Sequence, residues 1–478
     1  MTYHPHRPEL HVSPERGILE GPAGIVVDHG NWHVFSQYEA AQRRSGKDGR
    51  WAHQYSPGNP YNWEICDDVL AGAEQDGAGR GAAGHKDAPT GYRAGSVVDH
   101  QAGAVLYSTA VFENKTEIHR HIMANLERST LEVSDDVTAV DPTVTHCGPI
   151  QWDGPAPQRP RSPCVIPNGE GRWLMLAVTG PMERPRTVVA RSEDMVRWRV
   201  DGEIQFSGHT GFAPDEALVA PRLIHLEDEV RGGEFDVLII TVEHDGVDIS
   251  GYLVGTLEGA VFKVVTPFSR VDHGHDFTRP RNTNAVGGRD RSVAVIFGCM
   301  NGVGRNTDVA TQPSFTEEGW ANCLSLPRRV TLQDGLLYQT PVPGLAQAIE
   351  ESERARGWMG LLDTRSGSVS LDILDSAGVV AARVTHRGDV VEIDRSMNEL
   401  LAQTDAAIEH VAVAPLVPAD TDSLTVIADG STLEVFADGG SAALASRIYF
   451  RGVCSGFAVT TTGDAVVERC YEVAPRRI

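Results

Sequence analysis

Short apolar runs separated by Gly, Pro and Asp turns make up most of the chain before residue 345. Runs rich in β-branched and aromatic residues and bounded by such turns are typical of β-strands. The pattern predicts strands at residues 105–107, 173–178, 187–190, 237–241 and 293–297. Because this part of the chain has no long helical periodicity, the pattern indicates an all-β protein.

A finer pattern occurs twice within this part of the chain. At residues 59–64 and again at 192–198, a polar turn leads to a tryptophan and then to an outgoing strand. Repeated four-stranded units that close into a ring leave no long free sheet edge, which is the solution adopted by β-propellers. The repeat therefore favours a propeller for the first domain.

The pattern changes at residues 346–356, where a short, charged, helical stretch predicts a connector. Beyond it, apolar and polar positions alternate at residues 368–374, 423–428 and 432–437. Strict alternation between turns is typical of strands with one buried face, as in a β-sandwich. The sequence thus predicts a domain boundary near residue 345, with a propeller over residues 1–345 and a sandwich over residues 346–478.

The stretch from residue 7 to residue 38 reads RPELHVSPERGILEGPAGIVVDHGNWHVFSQY. A Gly/Pro turn at residues 21–24 precedes two predicted strands, residues 25–27 and 32–35, which a turn at residues 28–31 joins into a hairpin. The stretch resembles the start of the β-fructosidases of glycoside hydrolase family 32, RPxxHFTPxxGWMNDPNG…dGxYHxFYQ. The residues in register with this motif are Arg7, Pro8, His11, Pro14, Gly17, Pro22, Gly24, Gly30, His33, Phe35 and Gln37.

The resemblance extends along nearly the whole chain. Residues 50–53 resemble the family's WGHA, 95–96 the end of FSGS, 161–163 RDP, 272–277 DYGxDF and 323–328 cLSLPRE. Residues 429–436 and 446–449 resemble the family's DxSxxEvF and TSRiYP in the second domain. The resemblance implies a five-bladed β-propeller followed by a C-terminal β-sandwich.

The three acidic residues that the family uses in its active site are replaced in this chain. Retaining glycosidases need a nucleophile and an acid/base carboxyl roughly 5–5.5 Å apart. Matched position by position, the nucleophile is Gly21, the aspartate of RDP is Ser162, and the acid/base glutamate is Val219. Standard retaining hydrolysis is therefore not expected.

Neighbouring carboxylates offer one compensation for this loss. Glu20 precedes the lost nucleophile, and Asp215 and Glu216 lie just before Val219. A one-residue offset turns a strand side chain to the opposite face, and a misplacement of 1 Å can cost about 100-fold in rate. The alternative is that Glu20 is a solvated loop carboxylate and the other two belong to a turn. Carboxylates that converge across the pocket favour an enzyme, whereas carboxylates that point outward favour a binding protein.

Arginines take the place of neutral or acidic family residues around the same pocket. These are Arg93, Arg222, Arg279 and Arg281, and Arg161 of RDP is retained. Converging guanidinium groups need an anionic ligand, or nearby carboxylates such as Asp276, to offset their repulsion. Either each arginine pairs with a local carboxylate, or the pocket accepts an anionic sugar.

Three further residues match positions of the family's pocket wall. Gln37 and Ser96 offer hydrogen-bonding groups, and Trp51 offers an aromatic face for a sugar ring. A tryptophan buried in the core is the alternative for Trp51. Together with Arg161, Ser162, Arg222, Asp276, Arg279 and Arg281, these residues form the predicted substrate-binding set.

Composition excludes several other classes of function. The 478 residues carry a net charge of −23, which argues against nucleic acid or an anionic membrane as a partner. The seven scattered cysteines form no CxxC motif, and His53, His273 and His275 lack the spacing of a zinc site, so no metal or cofactor is expected. Without a leader-like N-terminus or a long apolar run, the sequence predicts a cytoplasmic monomer or homodimer with a small-molecule or oligosaccharide ligand.

These observations predict a carbohydrate-active protein for a β-fructofuranoside or a related, anionic sugar. The alternative is a non-catalytic sugar-binding or regulatory protein derived from such an enzyme. Catalysis depends on whether relocated carboxylates meet in the pocket.

Overall fold

The computed structural model describes residues 5–40, 49–72, 88–100, 103–136, 139–169, 171–244, 247–283, 292–301, 309–402, 409–417 and 422–476. Strands dominate these residues, and the helices among them are short. No helix in the described ranges has the length and apolarity that crossing a membrane requires.

The first two blades of the propeller are antiparallel sheets whose strands follow one another along the chain. Blade 1 contains β1 (Gly17–Asp28), β2 (Asn31–Glu39), β3 (Arg50–Ser56) and β4 (Glu64–Ile65). Blade 2 contains β5 (Gly91–His100), β6 (Gly103–Val111), β7 (Thr116–Met123), helix α1 (Leu126–Leu131) and β8 (Val144–Pro149). The β1–β2 hairpin turns at His29 and Gly30, whose φ angles of 49° and 84° suit a two-residue turn between twisted strands.

Blades 3 and 4 each add a parallel strand to the outer edge. Blade 3 contains β9 (Gln151–Trp152), β10 (Arg161–Pro167), β11 (Trp173–Thr179), β12 (Arg186–Ser192) and β13 (Arg197–Glu203). Blade 4 contains β14 (Gln205–Ser207), β15 (Ala217–Glu227), β16 (Glu234–His244), β17 (Val247–Glu258) and β18 (Val261–Arg270). In both blades the short first strand pairs with the last one, so a blade's outer edge is completed by the segment that enters it.

Blade 5 also supplies the strand that closes the ring. Its elements are β19 (Thr278–Thr283), β20 (Ala294–Met300), the 3₁₀ helix η1 (Val309–Thr311), α2 (Pro313–Glu318), β21 (Trp320–Ala321), β22 (Cys323–Leu324), β23 (Arg328–Gln333) and β24 (Leu336–Pro341). Strand β21 leaves the blade and pairs in parallel with β1, where Trp320 faces Gly17. The first and last parts of the propeller are thereby joined in one sheet.

The remaining strands form two five-stranded sheets packed face to face. In chain order the elements are α3 (Leu345–Glu351), β25 (Arg356–Asp363), β26 (Ser368–Leu374), β27 (Val380–His386), β28 (Val390–Asp394), α4 (Glu399–Ala402), β29 (Val411–Pro415), β30 (Asp422–Asp429), β31 (Thr432–Ala437), the 3₁₀ helix η2 (Asp438–Gly440), β32 (Ala442–Arg447), β33 (Gly456–Thr462) and β34 (Val466–Val473). One sheet has the order β32-β31-β30-β25-β34 and the other β29-β28-β27-β26-β33. Alternating apolar residues such as Leu371 and Val435 fill the space between the sheets.

The buried interface between the propeller and the sandwich has an apolar part and a charged part. One apolar cluster combines Leu10 and Leu326 of the propeller part with Phe436 of the sandwich. Beside it, the buried Arg328 guanidinium donates to Glu434 Oε2 at 2.6 Å. His11 Nδ1 lies 2.8 Å from Asp429 Oδ2 and its Nε2 lies 3.2 Å from Glu434 Oε1. Each of these buried ionic groups has a partner of opposite charge, which lowers the cost of burying charges between the sandwich and the propeller.

The predicted fold class is confirmed: the protein is all-β, with a five-bladed propeller followed by a sandwich. The predicted runs at 105–107, 173–178, 187–190 and 237–241 lie inside β6, β11, β12 and β16, and those at 368–374 and 432–437 coincide with β26 and β31. The stretch predicted as a helical connector begins within α3.

Candidate active site

The innermost strands of the five blades surround the propeller axis, and each contains an irregularity in its register. The shifts fall between Leu19 and Gly24 in β1, Arg93 and Ser96 in β5, Arg161 and Cys164 in β10, Val219 and Arg222 in β15, and Thr278 and Arg281 in β19. At three of these bulges a residue other than glycine has a positive φ: Ser162 at 51°, Ala220 at 51° and Arg279 at 47°. Bulges of this kind redirect side chains and concentrate at active sites.

A cavity of about 430 Å³, the axial cavity, lies among these bulges. Of the residues predicted from sequence, it brings together Glu20, Gln37, Arg161, Ser162, Arg279 and Arg281. The positions of the family's nucleophile and acid/base, Gly21 and Val219, also line it. The bulges therefore gather segments from all five blades around one pocket.

Glu20 is the carboxyl group that β1 presents to the axial cavity. The side-chain amide of Gln37 donates a hydrogen bond to it from the adjacent strand β2. Burial raises the pKa of Glu20 to about 7, with a further upward push from Glu39, while Arg93 and Arg279 act in the opposite direction. Glu20 is thus able to gain and lose a proton near neutral pH.

Gly21 leaves open space where the family has its nucleophile. A Cβ atom built at this glycine meets no other atom within 4 Å. At the two other replaced positions, Val219 contributes an apolar side chain, and Ser162 is fixed by its backbone N–H, which donates to Thr109 Oγ1 at 2.9 Å. The described cavity wall therefore holds no carboxylate at any of these three positions.

Two carboxylates that the sequence analysis missed line the axial cavity, and Arg279 connects them. Its Nη2 donates to Glu243 Oε1 at 2.8 Å, and its Nε donates to Asp248 Oδ2 at 3.0 Å. Burial raises the pKa of Asp248, and the Arg279 guanidinium counteracts that rise. Glu243 and Asp248 are register partners at the end of the β16–β17 hairpin. The only signal in the sequence was an acidic turn between two strands.

Arg161 lines the axial cavity but bonds to main-chain carbonyls. Its Nη1 donates to the carbonyl oxygens of Gly180 at 2.8 Å and Arg159 at 3.1 Å. Burial lowers its pKa, and the neighbouring Arg93 and Arg159 add to that effect. The main-chain carbonyls therefore hold the side chain in place, and Glu183 is the carboxylate that acts on its charge.

The structure places four of the predicted substrate-binding residues away from the axial cavity, namely Arg222, which is described below, and Trp51, Asp276 and Ser96. Trp51 is fully buried in the core beneath it, where its indole N–H donates to the carbonyl of Arg93 at 3.2 Å. Asp276 is also buried and forms ion pairs with Arg447 and Arg395 of the sandwich, at 2.8 and 3.0 Å. Ser96 instead bonds to the main chain of β10 and lines a neighbouring cavity.

Asp215 and Glu216 do not face the axial cavity either. They lie in the turn that precedes β15, in which the Glu216 N–H donates to the carbonyl of Ala213 at 3.2 Å. Asp215 is exposed, and Glu216 is partly exposed. Of the three relocated acids predicted from sequence, only Glu20 reaches the pocket.

Arg222 lies farther along the axis, in a second cavity of about 250 Å³, the lower cavity. Its guanidinium is buried and donates to the carbonyls of Pro221 at 2.6 Å, Gly95 at 2.8 Å and Pro163 at 3.0 Å. Burial lowers the pKa of Arg222 to about 10. Arg281 lines both cavities and so marks the boundary between them.

One group among the described residues has the donor types of a metal site, in the sandwich. It consists of His386, Asp422 and Asp438. His386 Nε2 lies 3.0 Å from Asp438 Oδ1, and its Nδ1 accepts the Gly388 N–H at 3.1 Å. Asp422 accepts the hydroxyl of Thr364 at 2.6 Å. These bonds connect strand ends and fully account for the group as a structural one.

Family comparisons agree with the architecture around this site. Residues 11–341 match the model of the glycosyl hydrolases family 32 N-terminal domain, and residues 379–471 match that of the family 32 C-terminal domain. The first match alone covers more than half of the chain.

Individual relatives are similar over most of their length. The chain is 24% identical to a probable sucrose-6-phosphate hydrolase of Psychromonas ingrahamii, covering 97% of this chain and 81% of the relative. It is 25% identical to the sucrose-6-phosphate hydrolase of Bacillus subtilis, covering 93% and 89%.

Solved structures show the same fold at lower identity. A β-fructofuranosidase of Bombyx mori in complex with sucrose superposes with a TM-score of 0.72 at 18% identity, covering 99% of this chain and 95% of that one. An exo-inulinase of Aspergillus awamori gives a TM-score of 0.74 at 18% identity, covering 99% and 98%.

Proposed function

Because the chain belongs to glycosyl hydrolase family 32, we propose that it binds a β-fructofuranoside in the axial cavity and hydrolyses it with Glu20 as proton donor. One observation carries the proposal: a carboxyl group with a pKa of about 7 shares a pocket with two carboxylates held by an arginine. In glycoside hydrolysis, two carboxyl groups in unlike environments take the roles of acid and base.

The proposed reaction needs one proton transfer to the substrate and one from water. Protonated Glu20 gives its proton to the glycosidic oxygen, and the alcohol departs with that oxygen as the bond to the fructosyl anomeric carbon breaks. Water attacks the same carbon and gives a proton to Glu243 or Asp248. Glu243 or Asp248 then releases its proton to solvent, solvent returns a proton to Glu20, and the net change is hydrolysis.

A direct water attack suits this chain better than the covalent route of its relatives. The covalent route needs a carboxylate at the nucleophile position, where this chain has Gly21. Space at that position admits a water molecule or part of the sugar. The carboxylates on β16 and β17 lie on a different blade from Glu20, which is compatible with an acid and a base that act from two sides of the sugar.

We further propose that the sugar carries an anionic group. Of the two relatives described above, one is named a probable sucrose-6-phosphate hydrolase and the other a sucrose-6-phosphate hydrolase. In support, Arg93, Arg161, Arg279 and Arg281 all line the axial cavity. A cleft lined by guanidinium groups attracts an anion even in a protein of net charge −23, because a low-dielectric site focuses local charge.

The test compares the wild type with Glu20→Gln on sucrose, sucrose 6-phosphate and a short fructo-oligosaccharide. Loss of a general acid should lower kcat by about 100-fold or more, and Glu216→Gln, the same change outside the cavity, should leave it unaltered. Equal rates for the wild type and Glu20→Gln would refute the role of Glu20.

A non-catalytic sugar-binding protein is the second candidate. Arg279 engages both Glu243 and Asp248, which limits their capacity to act as a base. If this candidate is right, calorimetry should detect sugar binding by the wild type while no substrate is cleaved.

A further inference from the structure

Two arginine side chains lie buried next to each other where the axial and lower cavities meet. Arg222 is 2% exposed and Arg281 is 5% exposed, and both line the lower cavity. Both donate from their Nη groups to main-chain carbonyls, as with Arg281 Nη1 and the carbonyls of Arg279 at 3.1 Å and Pro280 at 3.2 Å. In both, the buried Nε–H has no hydrogen-bond partner among the described residues.

Among the described residues, no carboxylate forms an ion pair with either of these two guanidinium groups. The groups that act on Arg281 are Arg222, Arg279 and the thiols of Cys164 and Cys299, and the first two repel it. Cys164 is also the neighbour that acts on Arg222, and the two side chains share a hydrogen bond. A carboxylate that lines the same cavity, Asp99, is exposed at its far end and is not among the groups acting on either arginine.

Burying two like charges side by side is costly without an ion of opposite charge. Desolvation of each buried ion is a large penalty, and the mutual repulsion adds to it. Carbonyl oxygens offset part of the desolvation, yet they carry no net charge and leave the Nε–H of each arginine without a hydrogen bond among the described residues. A ligand with several acceptor oxygens and a full negative charge supplies what is missing.

We propose that Arg222 and Arg281 form a binding site for a tetrahedral oxyanion group, either a phosphate or a sulfate. Such a group can accept hydrogen bonds from both guanidinium groups and neutralise both cations. The site depends on the geometry of the arginines alone, so it can exist even if Glu20 has no catalytic role. Because Arg281 also lines the axial cavity, the same chemistry can come from a phosphate ester of the sugar or from free inorganic phosphate.

The first experiment uses inorganic phosphate and sulfate as probes, with chloride at matched ionic strength as the reference. We expect phosphate or sulfate to raise the Tm of the wild type by about 2 °C or more relative to chloride. Arg222→Met and Arg281→Met should each lower the phosphate affinity by about ten- to a hundredfold, as measured by calorimetry. The matched control is Arg383→Met, which removes an exposed arginine paired with Asp372 in the sandwich.

A second measurement covers the case in which a variant changes the fold instead of the site. In chloride alone, Arg281→Met should be at least as stable as the wild type, because it removes a buried charge that lacks a counter-charge. Equal responses of the wild type and Arg281→Met to phosphate would overturn the proposal. So would a large loss of stability of this variant in chloride, since the arginine would then be satisfied by the protein itself.

A competition experiment distinguishes the two sources of the oxyanion. If the substrate's phosphate ester occupies the site, inorganic phosphate should weaken the binding of fructose 6-phosphate and leave that of fructose unchanged. If the site holds free phosphate, inorganic phosphate should leave the affinity for fructose 6-phosphate and the affinity for fructose unchanged. Neither arm requires turnover, so a failure of the proposed hydrolysis leaves this result interpretable.

Discussion

At the scale of single residues, the burial of Glu20 has a cost that depends on pH. Its pKa is about 7 in the folded protein against an ordinary value of 4.5. Between these two values the folded state binds more protons than the unfolded state, so the free energy of unfolding falls as pH rises through this window. The difference corresponds to at most about 3 kcal/mol above pH 7.

Glu20→Gln should therefore stabilise the protein at high pH. The Tm difference between variant and wild type should be close to zero near pH 4.5 and should grow to several degrees at pH 8. Thermal unfolding at a series of pH values measures it, with Glu216→Gln, the same change outside the axial cavity, as the matched control. A constant difference across the series would mean that Glu20 is ionised in the folded state at all these pH values.

The family's three acids can be reintroduced at the positions where they are replaced, Gly21, Ser162 and Val219. Because a Cβ at residue 21 meets open space, Gly21→Asp should change the free energy of unfolding by no more than about 0.5 kcal/mol. Combined with Ser162→Asp and Val219→Glu, it should raise the rate of sucrose hydrolysis above that of the wild type. A well-folded triple variant without any gain would show that further residues are needed.

What the sequence could reveal of the site depended on where each residue's partners lie. Glu20 and Gln37 were predictable because they belong to one hairpin that carries a recognisable motif. Asp276 was predicted to serve the pocket, yet its partners Arg395 and Arg447 lie more than 100 residues away in the sandwich. Glu243 carries no motif and reaches the pocket only because a hairpin two strands from the axis extends towards it.

At the scale of elements, the bulges of the innermost strands shape the pocket. A regular strand would alternate its side chains between two faces, whereas a bulge lets consecutive residues contribute to one cavity. The pattern of apolar runs predicted these strands and could not predict the bulges, because a positive φ at Ser162, Ala220 or Arg279 leaves no trace in hydrophobicity. The left-handed conformation costs on the order of 1 kcal/mol per residue.

Ala220 provides a test of this strain. Ala220→Val should destabilise the protein by roughly 1–3 kcal/mol, because a β-branched side chain tolerates a φ of 51° poorly and the position is buried. Ala220→Gly should cost less than about 1 kcal/mol, since relief of strain offsets the lost methyl group. Urea denaturation measures both. If glycine is the more harmful change, the backbone at residue 220 is not strained.

At the scale of the whole molecule, the two domains are joined through buried charges. His11 is enclosed by Asp429 and Glu434, and Arg328 continues the chain of ion pairs to Asp272. Burial by itself lowers the pKa of His11, but the hydrogen bonds to Asp429 and Glu434 outweigh it and raise the pKa to about 9. A histidine with a raised pKa stabilises the fold fully below pH 6.5, and this contribution is lost as pH rises through 9.

The interface should therefore weaken at alkaline pH. The Tm of the wild type should fall between pH 7 and pH 9, and His11→Asn should lose several degrees at pH 6.5 but show a flatter pH profile. Scanning calorimetry measures both, with His29→Gln, a change at an exposed turn, as the control. Parallel profiles for the wild type and His11→Asn would show that His11 is neutral in the folded protein.

The pairing of β1 with β21 also sets a waiting time during synthesis. Strand β1 is among the first parts of the chain to be made, but its partner at Trp320 follows some 300 residues later. At roughly 5–20 residues per second, a ribosome needs about 15–60 s to cover that distance. Throughout this interval the edge of the first blade is open to pairing with other nascent chains. The ring is thus most vulnerable to aggregation before it closes, and slower synthesis lengthens that exposure.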